Sequence, residues 1–136
     1  DERQLLSERV LGDGKVERRY TDGSRVVQFR NGTKKELTKD GRTVVRFING
    51  DVKETMPDSG VVVYFYADAN TTHTTAPDGT ETFEFPNGQR ETHNPDGSKS
   101  ISFPDGTVKQ VSSDGEQRST FPDGTVLVER PDGHRV

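Results

Sequence analysis

The sequence predicts an all-β protein, an elongated and single-layer free-standing antiparallel sheet with solvent on both faces. The first observation is that twelve of the 14 glycines follow Asp or Asn directly and recur every nine residues, with one interruption after Gly50. Secondly, the segments between them alternate like strands. Finally, six of the seven prolines stand immediately before the Asp/Asn-Gly pair. A fixed period of turn residues is typical of stacked structural units.

The composition limits what such a sheet can do. The 136 residues carry a net charge of -4, which argues against a nucleic-acid partner because such surfaces are usually basic. There is neither an apolar run of about 18 residues nor a signal-peptide pattern, so we expect a soluble chain without a membrane partner. The sequence has no cysteine, which excludes disulfides and thiolate metal sites and fits a cytosolic setting.

Taken in order, residues 1–11 form a lead-in without the turn signal, and their leucines and valines suit either a short helix or an edge strand. Residues 12–136 form the glycine-repeat sheet domain. Asp-Gly or Asn-Gly between alternating segments predicts a two-residue type I′ hairpin, in which both central residues take positive φ. The prolines before these pairs leave longer turns open at some positions, because proline suits the second position of a turn. We therefore expect one strand per repeat, about nine residues apart, in a meander.

The nine-residue period also predicts which side chains share a face. If the residues after each glycine are numbered 1 to 7, a two-residue hairpin pairs position 7 with position 1 of the next strand, so even positions share one face throughout. That face would carry most of the apolar residues, and the odd face would be polar. Position 6 holds Phe in alternate strands, which indicates an 18-residue hairpin unit. The predicted apolar face includes Val16, Tyr20, Val27, Phe29, Val45, Phe47, Val52, Met56, Phe83, Phe85, Ile101, Phe103, Val108, Phe121, Val126 and Val128.

The period breaks once, at residues 57–60, before the most apolar stretch of the chain, residues 61–66. A two-residue turn at Ser59-Gly60 would swap the faces, so that Phe65 joins the apolar face while Tyr64 and Tyr66 emerge on the polar one. A three-residue turn would reverse this assignment. Residues 67–75 have no repeat signature and read as a loop or bulge that leads into another strand. An irregular segment inside a regular array is where a specific site is expected.

The sequence shows no motif typical of catalysis or metal binding. The three histidines have no ligand spacing, and no nucleophile motif or phosphate loop is present, so we expect neither enzyme activity, metal nor cofactor. Calcium-binding β-rolls also repeat every nine residues. They carry at least two glycines per repeat, whereas this chain has one, so a parallel roll is disfavoured.

The candidate site consists of Ile48, Tyr64, Tyr66 and Glu91, with Phe47 and Phe65 beside them. Phe47 and Phe65 fall on the predicted apolar face, where holding the sheet together is their expected role. Tyr64, Ile48 and Glu91 project from the predicted polar face. Tyrosine rings with an aliphatic neighbour and an acceptor could receive a polyproline segment, which stacks on aromatic rings.

The Phe-x-Asp/Asn-Gly repeats, together with Val-Tyr-Phe-Tyr-Ala-Asp-Ala-Asn-Thr-Thr-His-Thr-Thr over residues 63–75, resemble a known family. The likeness is to the G-box, or T-complex-10 C-terminal (TCP), domain of the centrosomal P4.1-associated protein family, and it covers residues 12–136. It implies a centriolar scaffold or adaptor domain, located in the cytoplasm at the centrosome and cytoskeleton. Its implied partner is a proline-rich segment of a STIL-like centriole-duplication protein.

The resemblance also implies binding residues at Ile48, Tyr64 and Glu91. At position 48 the family pattern has an aromatic residue, so either Ile48 or Phe47 would supply the apolar contact. A sheet with two open edges can in addition pair with its own copies. The alternative function is therefore a structural ribbon in the centriole, assembled as an end-to-end homo-oligomer.

Overall fold

The structure is a computed structural model that describes residues 3–132. Within that range every element is a strand, so the all-β prediction is confirmed, and no helix there could span a membrane. The fourteen strands are β1 (Leu5–Val10), β2 (Val16–Tyr20), β3 (Arg25–Gln28), β4 (Lys34–Leu37), β5 (Thr43–Arg46), β6 (Val52–Thr55), β7 (Val62–Tyr66), β8 (Thr71–Thr75), β9 (Glu81–Glu84), β10 (Arg90–His93), β11 (Lys99–Ser102), β12 (Val108–Val111), β13 (Gln117–Thr120) and β14 (Val126–Glu129).

The strands fall into two compact units, the first ending at Asp68 with β1–β7 and the second beginning at Ala69 with β8–β14. Within each unit every strand pairs antiparallel with the next one along the chain, which makes an open meander. Among the described residues the buried apolar side chains are Val26 and Val44, at 8% and 5% exposure. Each unit is thus a single layer, as predicted, and cross-strand pairs rather than a core stabilise it.

The lead-in forms the edge strand β1 rather than a helix. It pairs with β2, and a bulge between Leu5 and Ser7 shifts its register. The proposed boundary between residues 1–11 and 12–136 stays a prediction.

The turns differ from the predicted type I′ hairpins, because each loop in the regular repeats has three residues. In the β2–β3 turn the Tyr20 N–H donates to the Ser24 carbonyl at 3.0 Å, and the Gly23 N–H donates to the Tyr20 carbonyl at 3.1 Å. Gly23 has φ of 88°, whereas Asn70 is the one non-glycine residue in 3–132 with positive φ. This is the three-residue loop, a type I turn followed by a left-handed glycine. It requires positive φ only at the glycine, so the prediction of two such residues is wrong.

The Asp or Asn before the glycine closes the turn by accepting a backbone hydrogen bond from two residues ahead. The Thr80 N–H, for example, donates to Asp78 Oδ1 at 2.8 Å, and the Thr107 N–H donates to Asp105 Oδ1 at 2.8 Å. These bonds lower the pKa of both aspartates, because they stabilise the ionised carboxylate. Asp and Asn are therefore needed here as acceptors.

The longer loop changes the register by one residue, which overturns the predicted faces. Position 3 now pairs with position 4 of the next strand, as in Glu17 with Val27. Even positions of one strand therefore share a face with odd positions of its neighbours, and the predicted apolar set is divided between the two faces. In the first unit Val27, Phe29, Val45 and Phe47 project to one face, and Val16, Tyr20, Val52 and Met56 project to the other.

Candidate functional site

One face of the first unit carries a continuous row of side chains that begins at Tyr64 on β7. The row continues through directly paired residues on β6, β5, β4 and β3, and we call the surface that bears it the tyrosine face. Its members are Tyr64, Lys53, Val45, Lys35 and Val27.

Aromatic rings cluster at the Tyr64 end of this face. The ring centroids of Phe47 and Tyr64 lie 6.0 Å apart with planes at 30°, and those of Tyr64 and Tyr66 lie 4.5 Å apart. The loop before β7 sets this arrangement, because the Met56 N–H donates to the Val61 carbonyl across four residues. That four-residue loop, in place of the predicted two-residue turn at Ser59-Gly60, aligns Tyr64 with Lys53. Tyr64 and Phe65 project to opposite faces, as predicted, because they are adjacent on one strand.

Asp51 holds Tyr64 in place. The Tyr64 O–H donates to Asp51 Oδ2 at 2.8 Å, and the Ala67 N–H donates to Asp51 Oδ1 at 2.8 Å. Both hydrogen bonds lower the pKa of Asp51, the bond from Ala67 more than the bond from Tyr64. The carboxylate in turn raises the pKa of the Tyr64 hydroxyl. With its hydroxyl committed, Tyr64 offers its ring as the contact surface.

Sequence reasoning missed Asp51, although a signal was present. Position 1 after the repeat glycines is otherwise basic, Ser, Thr, Gln or Glu, and Asp occurs there only at residue 51. That departure coincides with the repeat that precedes the irregular β7.

The predicted residues of the first unit do not all meet. Tyr64, Tyr66 and Phe47 come together on the tyrosine face, so the prediction that Phe47 lies opposite Tyr64 is wrong, for the register reason given above. Phe65 pairs with Val52 and projects to the other face. Ile48 lies in the β5–β6 turn rather than on a face, and 72% of its surface is exposed. Its Cγ2 lies 2.9 Å from the point where a Cβ on Gly32 would stand.

Glu91 lies on β10 in the second unit, where it pairs with Phe83 on one side and Ile101 on the other. We call this surface the phenylalanine face; the sequence placed Glu91 opposite Phe83, and the three-residue loop again explains the error. The Glu91 carboxylate is held at both oxygens, by His93 Nε2 at 3.0 Å and by Gln89 Nε2, which donates at 2.9 Å.

Two histidines pack on the same phenylalanine ring. His73 stacks on Phe83 with centroids 4.4 Å apart and planes at 6°, and His93 lies 5.0 Å from it. No group of three potential metal ligands occurs within residues 3–132. The arrangement can offer a carboxylate acceptor beside an aromatic surface.

Comparison with known proteins assigns the repeat to a family. The family described as T-complex protein 10 C-terminus matches residues 5–37, 70–93 and 95–129. The centrosomal P4.1-associated protein of Mus musculus is 52% identical over 92 residues, which is 68% of this chain and 7% of that protein. The Homo sapiens protein is 54% identical over 81 residues, 60% of this chain and 6% of that protein. The chain therefore spans a small part of these curated relatives.

Solved structures share the fold. The TCP10 domain of Danio rerio CPAP in complex with a peptide of Danio rerio STIL has a TM-score of 0.79 and 54% identity, over 90% of this chain and 67% of that one. The Drosophila melanogaster SAS-4 TCP domain, in complex with a proline-rich motif of Ana2, has a TM-score of 0.70 and 32% identity, over 98% of this chain and 95% of that one. The names of the relatives agree with the predicted centrosomal setting. The chain belongs to the T-complex protein 10 C-terminus, or G-box, family.

Proposed function

We propose that this chain is an interaction domain of a centriolar scaffold, located at the centrosome, that binds a proline-rich segment of a STIL-like protein on the tyrosine face. The observation that carries the proposal is the cluster of Phe47, Tyr64 and Tyr66, three neighbouring aromatic rings on one open face of the sheet. A polyproline II helix docks on aromatic side chains and is already extended, so binding orders little additional chain. The STIL and Ana2 complexes of the structural relatives support this class of partner.

Glu91 is proposed as a second contact, on the phenylalanine face of the other unit. Its carboxylate is pinned by His93 and Gln89 and is 20% exposed, so it could accept a hydrogen bond from an arginine or a backbone N–H of the partner. Ile48, largely exposed in its turn, stays a predicted apolar contact. An open sheet face buries little of a peptide, and we expect an affinity on the order of micromolar, about -8 kcal/mol.

The test is an amide NMR titration of the chain with the Danio rerio STIL peptide, run for the wild type, Tyr64→Ala and Glu91→Val. Saturable shifts near residues 46–48, 62–66 and 89–93 that disappear in folded variants are expected. Tyr20→Ala is the matched control, because Tyr20 lies on the opposite face of the first unit beneath the Arg3 guanidinium, 4.2 Å from its ring centroid. Equal weakening by Tyr20→Ala and Tyr64→Ala would contradict the assigned face.

Self-association is a second candidate, favoured by the edge strand β1. In the described part of the chain β1 pairs with β2 alone, and Leu5, Leu6 and Val10 are 51%, 68% and 71% exposed. An apolar edge of this kind can pair with another strand. Sedimentation velocity across protein concentrations tests it: association that persists in Tyr64→Ala but is lost in Leu6→Lys supports a ribbon, and a monomer at every concentration excludes it.

A further inference from the structure

The tyrosine face carries lysines that no acidic residue neutralises. Lys35 and Lys53 are exposed, and among residues 3–132 no carboxylate oxygen lies within 4.0 Å of either ammonium. They lie in one row, each directly paired with Val45 on the strand between them. The chain as a whole has a net charge of -4, so the positive charge of this row does not reflect a general excess of basic residues in the chain.

On the opposite face of the first unit, the glutamates of β4 and β6 form ion pairs with arginines. Strand alternation sends the neighbouring residues Glu36 and Glu54 there. Both are paired: Glu36 lies 2.9 Å from Arg3 and 3.6 Å from Arg46, and Glu54 binds Arg42.

The glutamates of β4 and β6 are therefore neutralised on the reverse face, whereas Lys34 there, like Lys35 and Lys53, has no carboxylate partner among the described residues. Lys35 and Lys53 are distinguished by lying in one row beside Tyr64.

Beyond Lys35 the face continues into an open groove of about 430 Å³. Leu11, Val27, Phe29 and Leu37 supply its apolar surface, and Lys15 and Arg25 add cations at its margin. Leu37 is 40% exposed.

Both of the cations at the margin have acidic partners. The Lys15 ammonium contacts Asp13 at 3.0 Å and lies 5.2 Å from the Phe29 ring centroid. Arg25 lies 3.9 Å from Glu17 on the same face. Within the described part of the chain, the cations without such a partner in the row are Lys35 and Lys53.

We propose that this row and groove dock an acidic, apolar extension of the same partner chain that places its proline-rich segment on Tyr64. Lys53 pairs directly with Tyr64, so the row continues that site. Lys35 and Lys53 are two strands apart, about 9.5 Å. A polyproline II segment that crosses the strands has three residues per turn and rises about 3.1 Å per residue, so carboxylates three residues apart share one face of it and would meet both lysines.

The position of the extension follows from the same spacing. From Tyr64 on β7 to Phe29 on β3 there are four strand intervals, or about 19 Å. That distance corresponds to about six residues of polyproline II. The acidic residues should therefore fall within about six residues of the proline that contacts Tyr64. This part of the inference rests on the proposed function.

The probes are two synthetic peptides, three repeats of Glu-Leu-Pro and three repeats of Gln-Leu-Pro. Each is titrated alone, followed by amide NMR shifts, and each is also joined to the Danio rerio STIL peptide and titrated by calorimetry. Two exposed ion pairs predict that the glutamate peptides bind about three- to tenfold more tightly than the glutamine peptides at low salt. The difference should shrink as salt rises.

Two double variants locate the effect. Lys35→Gln/Lys53→Gln should abolish the preference for glutamate, measured as the ratio of the Kd values of the two extended peptides, so that any loss of affinity common to both cancels. The matched control Lys34→Gln/Lys39→Gln removes the same charge; Lys34 projects to the opposite face and Lys39 lies in a turn, so it should retain the preference. Thermal midpoints establish that all variants are folded.

The proposal is overturned if glutamate and glutamine peptides bind equally, if the preference survives in Lys35→Gln/Lys53→Gln, or if both double variants lose it alike. It is also overturned if a single-stranded oligonucleotide shifts the same amides as strongly, because the row would then attract any polyanion. Failure of the unextended STIL peptide to bind the wild type would instead refute the proposed function. The lysine dependence of the separate acidic peptide would still be measured in that case.

Discussion

Replacing Phe47 by alanine tests the corrected face assignment, because the structure places this ring on the tyrosine face and Phe65 on the other. Phe47 is half-buried and stacks on Tyr64 with centroids 6.0 Å apart. We expect Phe47→Ala to weaken binding of the STIL peptide. Phe65→Ala removes a similar ring and should leave the affinity unchanged.

The magnitude follows from two losses. A peptide that covers the exposed part of Phe47, about a third of its surface or less, gains about 0.5 to 1 kcal/mol. Loss of the aromatic pair that supports Tyr64 adds about 0.5 to 1.5 kcal/mol. The sum, about 1 to 2.5 kcal/mol, corresponds to a rise in Kd of about five- to seventyfold.

Isothermal titration calorimetry with the STIL peptide measures the effect, and thermal denaturation shows whether each variant is folded. If Phe47→Ala does not fold, Phe47→Leu keeps the apolar volume but removes the ring. The reasoning is refuted if Phe65→Ala weakens binding as much as Phe47→Ala does, or if neither changes Kd.

Three further predictions concern the turns and the tyrosine. Gly32→Ala should lower the free energy of unfolding by more than Gly23→Ala. Both glycines have positive φ, so alanine costs about 1 to 2 kcal/mol at either position, but of the two only Gly32 would bring the new Cβ against a side chain, at 2.9 Å. Urea denaturation compares the two variants, and equal losses of stability would contradict the contact. Hydrogen bonds lower the pKa of Asp96 in the folded chain, so its contribution to stability should be present above the unfolded pKa of about 3.9 and disappear as pH falls through the lowered folded pKa. Asp96→Asn should reduce the fall in the urea midpoint between pH 6 and 2 by the share of this one carboxylate, and an unchanged profile would count against this linkage. Tyr64→Phe should raise the pKa of Asp51 part of the way to its ordinary value, because the Ala67 N–H remains bound, as NMR titration of the carboxyl carbon would show; no shift would mean that the hydroxyl bond does not form.

The fold was predictable because its information is local. Asp-Gly and Asn-Gly pairs at nine-residue intervals specify a turn wherever they occur, and the alternation between them specifies a strand. The lack of an apolar set large enough for a second layer then excludes a sandwich. Local turn chemistry needs no knowledge of distant residues, so strand number, meander order and single-layer character could all be read along the chain.

The faces were less predictable, because they depend on whether a loop contains two or three residues. Asp-Gly is compatible with both, and a change of one residue inverts the pairing of every side chain. For this reason the sequence prediction placed Phe47 opposite Tyr64 and Glu91 opposite Phe83, whereas the structure places both members of each pair on one face. Tyr64 was correctly placed opposite Phe65, since adjacent residues of one strand project to opposite faces whatever the register.

The sequence by itself determined the repeat, the strands and the irregular β7, and it suggested candidate residues for contact with a polyproline segment. Only the tertiary structure decided that Phe47 stacks on Tyr64, that Asp51 holds the tyrosine hydroxyl, and that Lys35 and Lys53 form one unneutralised row with Val45. The physical reason is that turn and strand preferences are properties of a few consecutive residues. Contacts across a sheet arise from hydrogen-bond register, which the three-residue loops set.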